Sequence, residues 1–539
     1  MSEGGIPKSG VSAMSENPTP PLVFQGKRRR NIFSMVSAIL ASMVSILLGY
    51  DTGVMSGASI FIKDDLKITD TQIEILVGII NICSLLGSAV AGRISDWIGR
   101  RYTIVFASVI FFVGAILMGL APNFAWLMVG RIVAGVGVGF ALMIAPVYTA
   151  EISPAMSRGF LTSFPEVFIN TGVLLGYISN ISFSQLPEHL SWRLMLGAGG
   201  IPSAMLAFGI LIMPESPRWL VMQGRLGEAR KVLNKTCDSN EEAELRLADI
   251  KSAVGIPENC VDDVVSVPKR SHGEGVWKEL LIRPTPSVRR VLIAAVGIHL
   301  FQQASGIDAV VLYSPRIFEK AGIKKKSYRL GATVAVGFSK TIFILVATFL
   351  LDRIGRRPLL LGSTGGMIVC LIGLASGLTV VDHSEKKLMW AIVLCVVMTL
   401  TFVASFSIGL GPIPWVYSSE IFPLRLRAQG VSIGVAVNRV MSGVIGMTFL
   451  SLYKAITIER TFFMFAGITG LAWTFFYTFL PETQGKTLEE MDGLFSTSRF
   501  KWKSSMKKDN DDVVENQNGR VELGLHSSKP REEGDNSVI

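Results

Sequence analysis

Long apolar stretches alternate with short polar turns along most of the chain. Their lengths cluster near the ~20 residues that a helix needs to cross ~30 Å of hydrocarbon. Six such stretches fall near residues 32–57, 73–91, 102–121, 124–147, 160–180 and 191–212, and six more near 289–313, 329–350, 358–380, 388–415, 428–452 and 460–480. A polar segment of roughly 75 residues separates the two sets. The pattern predicts an all-α membrane protein of twelve transmembrane helices in two six-helix halves, with a cytosolic helical loop between them. The segments are a disordered cytosolic N-terminus (1–30), an N-terminal half (31–213), a linker with short helices (214–288), a C-terminal half (289–481) and a cytosolic tail (482–539) that is largely disordered. Within the linker, Glu241 to Val254 and Gly275 to Leu281 carry helical patterning.

One unit has been used twice. Gly92-Arg93-Ile94-Ser95-Asp96-Trp97-Ile98-Gly99-Arg100-Arg101 is echoed by Asp352-Arg353-Ile354-Gly355-Arg356-Arg357, and other pairs recur at nearly the same offset. These are Gly49-Tyr50-Asp51 with Gly306-Ile307-Asp308, Val147-Tyr148-Thr149-Ala150-Glu151 with Val416-Tyr417-Ser418-Ser419-Glu420, and Pro214-Glu215-Ser216 with Pro481-Glu482-Thr483. Tandem homologous halves account for them.

Composition agrees, with 49% hydrophobic and 17% charged residues and a positive mean hydropathy. The net charge of +10 is topological. Lys27-Arg28-Arg29-Arg30, Arg93, Arg100, Arg101, Arg158, Arg353, Arg356, Arg357, Arg425 and Arg427 fall in turns on one side, which puts both termini in the cytosol. Lys324-Lys325-Lys326 breaks the pattern but is outvoted. No basic soluble domain exists to bind nucleic acid. No cleaved secretory signal precedes the first span, which is expected to stay as a signal anchor. Cys83, Cys237, Cys260, Cys370 and Cys395 show no metal-ligand spacing, so neither disulfides nor zinc are expected. The sequon at Asn180 is placed outside but close to the membrane, which makes it a poor glycosylation site, and the one at Asn234 in the cytosol.

Charges inside the predicted spans point to function. Asp51, Arg131, Glu166, Asp308, Lys340 and Arg439 each cost at least ~3 kcal/mol at mid-membrane if unpaired, so each is expected to find a partner in the bundle. Asp51 and Arg131 lie at similar depth in antiparallel spans 1 and 4. A carboxylate that leaves a guanidinium in an apolar site takes up a proton readily, as a proton carrier requires. A permanent salt bridge locking the two spans is the alternative. A midplane site for a hydroxylated substrate needs amides that donate and accept and an aromatic face, for which Gln302, Gln303, Trp415 and Asn438 are the candidates. Trp415 otherwise fills a gap beside the Pro412 and Pro414 kink. A lone His299 is left out as a packing residue.

The duplicated Gly-Arg-x-x-Asp-x-x-Gly-Arg-Arg element, Pro214 to Trp219, Gln302 to Ile307, Gly411 to Trp415 and Pro481 to Gly485 resemble the sugar porter family of the major facilitator superfamily over roughly residues 30–495. Ser163 to Asn170 and Gly306 to Val311 make the chain most similar to the plant polyol/monosaccharide transporters. The resemblance implies proton-coupled symport of linear polyols, cyclic polyols and monosaccharides by alternating access. It further implies protons as coupling ion with no other cofactor, a plasma-membrane location and function as a monomer. By resemblance, Asp51 is protonated with Arg131 as partner, Gln302 and Gln303 hold the sugar, and Trp415 and Asn438 complete the site.

Four positions depart from the hexose-transporter pattern. Glu166 stands for a glutamine, Asp308 and Lys340 for asparagines and Arg439 for a tryptophan. Charged groups bond hydroxyls strongly and with looser directionality, which suits flexible polyols. The alternative for Asp308 and Lys340 is mutual neutralisation away from substrate. Arg93, Asp96, Arg100, Arg101, Glu151, Arg158, Glu215 and Arg218, with Asp352, Arg356, Arg357, Glu420, Arg427 and Glu482, form a recurrent charge lattice to which the resemblance assigns an inner gate. Gly135-Val136-Gly137-Val138-Gly139 lacks a phosphate-loop lysine and is expected to serve helix packing. No nucleophile–base pair is visible, so an enzyme is not expected. A uniporter, a strict hexose or inositol symporter and a non-transporting sugar sensor remain as alternatives.

Overall fold

A computed structural model describes residues 32–153, 161, 163–237, 239–257, 260, 262–265, 280, 282, 284–384, 388–422 and 426–484. Their regular structure is helical, with no strand among the described residues. The N-terminal half comprises α1 (Ile32–Leu66), α2 (Asp70–Ile98), α3 (Arg100–Gly119), α4 (Phe124–Ile152), α5 (Phe164–Phe183) and α6 (Glu188–Leu211). Three short helices follow, α7 (Pro217–Met222), α8 (Leu226–Thr236) and α9 (Asn240–Val254). Leu220, Leu226, Leu233 and Leu247 give these three a small core of their own, apart from the main bundle. The helix expected at 241–254 is therefore present, whereas residues 275–279, the N-terminus and the tail beyond 484 lie outside the described residues.

The C-terminal half contains α10 (Pro286–Ala304), α11 (Ile307–Lys320), α12 (Lys326–Ile354), α13 (Arg356–His383), α14 (Met389–Ile408), α15 (Ile413–Ile421), α16 (Arg427–Ile456) and α17 (Ile458–Phe479). Among the described residues, eleven helical segments are long and apolar enough to cross a bilayer. The twelfth spanning helix is α5, whose apolar content is diluted by Glu166, Asn170 and Asn180 and which packs on α1 and α12.

Two expected spans are broken. Span 7 divides at Gly306, which has a φ of 86°, and a Cβ there would meet the Phe465 ring at 2.8 Å. Span 10 unwinds over residues 409–412, ahead of the helix that carries Trp415. Discontinuous helices expose backbone carbonyls at mid-bundle, where side chains can reach them.

Glycine makes the tightest seams. A Cβ on Gly49 would lie 1.9 Å from the Ile169 carbonyl oxygen, and one on Gly172 would lie 2.4 Å from that of Ile46, so α1 and α5 touch backbone to backbone. In the Gly135–Gly139 run, a Cβ on Gly139 would sit 2.2 Å from the Ser84 carbonyl oxygen, which makes this a packing stripe on α2. The Asn180 side chain donates to the Gly53 carbonyl oxygen from a fully buried position. The sequon at Asn180 therefore lies in the last turn of α5 with its side chain turned inward, which fits the expectation that it is a poor glycosylation site.

Candidate functional site

The two halves enclose a central cavity of about 770 Å³, including its open mouth, to which both contribute walls. Asp51, Arg131 and Glu166 line it from the N-terminal half; Gln302, Gln303, Asp308, Lys340, Trp415 and Arg439 line it from the C-terminal half. Asn438 lies behind this wall, fully buried, and donates to Gln302 Oε1 at 2.7 Å. Its Oδ1 accepts from Gln303 Nε2 at 3.2 Å and Arg439 Nη2 at 2.5 Å. Gln302 Nε2 in turn reaches the carbonyl oxygens of Leu410 and Gly411, at 3.0 and 2.9 Å, in the unwound part of span 10. One amide cluster therefore ties α10, the span-10 break and α16 together. The Gln303 Oε1 and Asp308 Oδ2 atoms remain buried without a hydrogen-bond partner among the described residues. Burying such acceptors is costly unless something else bonds them.

Asp51 and Arg131 do pair, Nη1 to Oδ1 at 2.5 Å, both almost fully buried. Arg131 Nε also donates to the Leu76 carbonyl oxygen at 3.0 Å, while Asp51 Oδ2 has no partner. Glu166, Asp308, Lys340 and Arg439 differ: they share the cavity but form no ion pair among the described residues. Asp308 and Lys340 thus make no contact ion pair, and the expectation that every intramembrane charge finds a directly bonded partner of opposite charge is corrected for these four, although the two carboxylates and two cations still act on one another across the cavity. The cavity separates them; Arg439 donates through Nε and Nη2 to Asn438 Oδ1, whereas Asp308 Oδ2 has no hydrogen-bond partner among the described residues.

At one end of the bundle the duplicated motifs form two equivalent charge clusters, each within its own half. Arg100 Nε donates to Glu151 at 3.1 Å and its Nη1 to Asp96 at 2.9 Å. Glu215 accepts from the Arg100 and Arg101 backbone amides, and Ser216 Oγ donates to Glu151 at 2.5 Å. Burial pushes the Glu215 carboxyl up, opposed by those same amides. In the other half Arg356 Nη2 reaches Glu420 at 2.9 Å, Glu482 accepts from the Arg356 and Arg357 amides, and Thr483 Oγ1 donates to Glu420 at 2.6 Å. Tyr148 and Tyr417 complete the symmetry by donating to the carbonyl oxygens of Pro214 and Pro481.

Arg93 and Arg218 are exposed and join no ion pair among the described residues. Arg158 and the side chains of Asp352 and Arg427 lie outside the described residues. The Arg100→Lys variant keeps the charge but loses the fork that serves Glu151 and Asp96 together. Uptake velocity measured at equal surface abundance is expected to fall about fivefold, on the order of 1 kcal/mol.

The opposite end joins the halves. Asp70 of α2 takes Lys63 at 2.5 Å from its own half, and Arg316 at 3.1 Å and Lys454 from the other. One turn along, buried Glu74 accepts from the Ser451 amide at 2.7 Å and its hydroxyl at 2.5 Å. Lys326 lies over the Phe61 ring between Asp64 and Glu188, so the lysine run that broke the charge pattern meets acidic residues of the other half.

The family model described as "Sugar (and other) transporter" matches residues 37–495. The chain belongs to the sugar transporter family. Within that family it is 66% identical over 508 residues to Polyol transporter 5 of Arabidopsis thaliana, covering 94% of each chain. It is 34% identical over 454 residues to the glucose transporter GlcP of Staphylococcus epidermidis, covering 84% of this chain and 95% of that one. Among solved structures it resembles the proton:xylose symporter XylE, of the major facilitator superfamily, bound to 6-bromo-6-deoxy-D-glucose, with a TM-score of 0.71, 26% identity and coverage of 87% and 100%. The inward open conformation of XylE from E. coli gives 0.69, with 26% identity and coverage of 86% and 100%. This member of the sugar transporter family is a multi-pass membrane transporter on the major facilitator fold, not an enzyme.

Several contributors to the transporter's cavity went unread in the sequence. Asn81 and Ser442 line it, and each sat in a predicted span as a small polar residue with no motif to mark it. Ser442 is one turn beyond Asn438, a spacing that could have signalled a shared helix face.

Proposed function

We propose that this protein is a proton-coupled symporter for linear polyols, cyclic polyols and monosaccharides, working by alternating access. The observation that carries the reading is the position of Asp51: one oxygen on Arg131, the other unpartnered, at the wall of the same cavity as Gln302 and Gln303. Proton site and hydroxyl-binding amides share one space, so occupancy of one alters the electrostatics of the other. Similarity to a proton:xylose symporter and to polyol transporters supports both halves of the proposal.

Positive residues place the arginine-rich end in the cytosol, with both termini, and the plasma membrane is the expected site. In that orientation the Asp70 cluster closes the outer end, while the two cytosolic clusters stay within their own halves. This is the arrangement of an inward-facing carrier. The transporter works as a monomer, with the proton as its only cofactor.

The test is substrate-evoked current in oocytes at acid and neutral external pH, comparing sorbitol, inositol and glucose. Inward current that grows on acidification is expected for all three. Labelled uptake without current would instead identify a uniporter.

The unpaired cavity charges are read as the source of polyol preference, because a charged group bonds a hydroxyl with ~1.5–3 kcal/mol. Replacing Asp308 and Lys340 together by asparagine is expected to lower the sorbitol-to-glucose ratio of kcat/KM about tenfold. An unchanged ratio would remove this pair from recognition.

A further inference from the structure

We infer that His299 is a positioning residue for the aromatic wall of the cavity, holding Trp415 through a hydrogen bond to the helix that carries it. This rests on the reading of the cavity as the substrate site.

His299 is fully buried on α10 and does not itself line the cavity. Its Nε2 is 3.0 Å from Ser418 Oγ on α15, and its ring stands edge-on to the Trp415 indole, 5.2 Å between centroids at 73°. The ring occupies a slot that only a glycine leaves open: a Cβ on Gly434 of α16 would lie 2.5 Å from His299 Cδ2. Three residues further along α10, Gln302 grips the Leu410 and Gly411 carbonyl oxygens.

The short helix α15 is thus cut from α14 by an unwound segment; α10 holds that segment through Gln302 and α15 itself through His299, with Trp415 between the two contacts. Without such anchors a nine-residue helix after a break would set its tryptophan loosely. His299 Nδ1 is buried without a partner among the described residues. A phenylalanine would fill the same slot without burying an unpaired nitrogen, so packing alone gives no reason for an imidazole. The bond to Ser418 does.

The test measures KM and maximal velocity of labelled sorbitol uptake, at matched surface abundance, in the full-length protein. The variants are His299→Phe, Ser418→Ala, Trp415→Ala and the double variant His299→Phe with Trp415→Ala. His299→Phe and Ser418→Ala are each expected to raise KM about fivefold with velocity within about twofold. In the Trp415→Ala background His299→Phe is expected to add nothing, because both act through one group. An unchanged KM in both single contact variants, or a full further rise in the double variant, overturns the inference while leaving the site intact. An unchanged KM in Trp415→Ala overturns the site reading itself, and the inference with it. If His299→Phe fails to reach the membrane, Ser418→Ala decides the matter alone, since it removes one hydroxyl and leaves the ring in its slot.

Discussion

The Asp51→Asn variant is expected to show no substrate-evoked proton current at any external pH and to accumulate no substrate above the external concentration. Exchange of labelled for unlabelled substrate should persist. Asparagine keeps a carbonyl for Arg131 Nη1, and Arg131 keeps its bond to the Leu76 carbonyl oxygen, so the site retains its shape. What disappears is the group that can alternate between charged and neutral. One proton moving down ~150 mV supplies ~3.5 kcal/mol, enough for accumulation of roughly 300-fold, and the variant should forfeit all of it. Current and accumulation measured together check this. An acid-stimulated current that survives the substitution would return Asp51–Arg131 to the role of a lock between α1 and α4.

That pair was legible in the sequence because depth follows from counting residues along antiparallel helices. So was the membership of Arg100, Glu151, Arg356 and Glu420 in a charge lattice that repeats at one offset in the two halves, though not that Arg100 takes Glu151 and Arg356 takes Glu420. What escaped was of two kinds. Asp70 and Lys454 stand 384 residues apart, outside or at the edge of apolar stretches, in different halves. Neither duplication nor hydropathy relates them, and only the docking of one half on the other brings them together. His299 and Ser418, 119 apart, meet because span 10 breaks, and the break follows from Gly409, Gly411 and two prolines whose joint effect on helix direction is not written in periodicity. The separation of Asp308 from Lys340 is of the same sort: sequence places both in the bundle, but side-chain direction around a cavity decides whether they touch.

The closure at Asp70 carries the second large expected effect. One carboxylate there serves three cations, two of them from the opposite half, so it is the tightest charge link between the halves, with the longer Lys326 contacts to Asp64 and Glu188 beside it. The Asp70→Arg variant puts a fourth cation among Lys63, Arg316 and Lys454. Each like-charge pair costs on the order of 1–4 kcal/mol at near-surface dielectric. The bond between Glu74 and Ser451, worth about 1.5–3 kcal/mol, does not offset several such terms. The end that bears Asp70 should therefore stand open most of the time. Uptake is expected to fall below about a tenth of wild type, since every cycle must pass through closure at this end. A cysteine at Asn81, on the cavity wall, should react with an impermeant external thiol reagent at least about tenfold faster in the Asp70→Arg background than without it. Reversing the partner as well, Lys454→Asp with Asp70→Arg, restores one attraction between the halves and should recover much of the uptake and slow the labelling again. If labelling is unchanged by Asp70→Arg, the cluster decorates the surface, and closure rests instead on the packing of α2 against α16 and of α5 against α12.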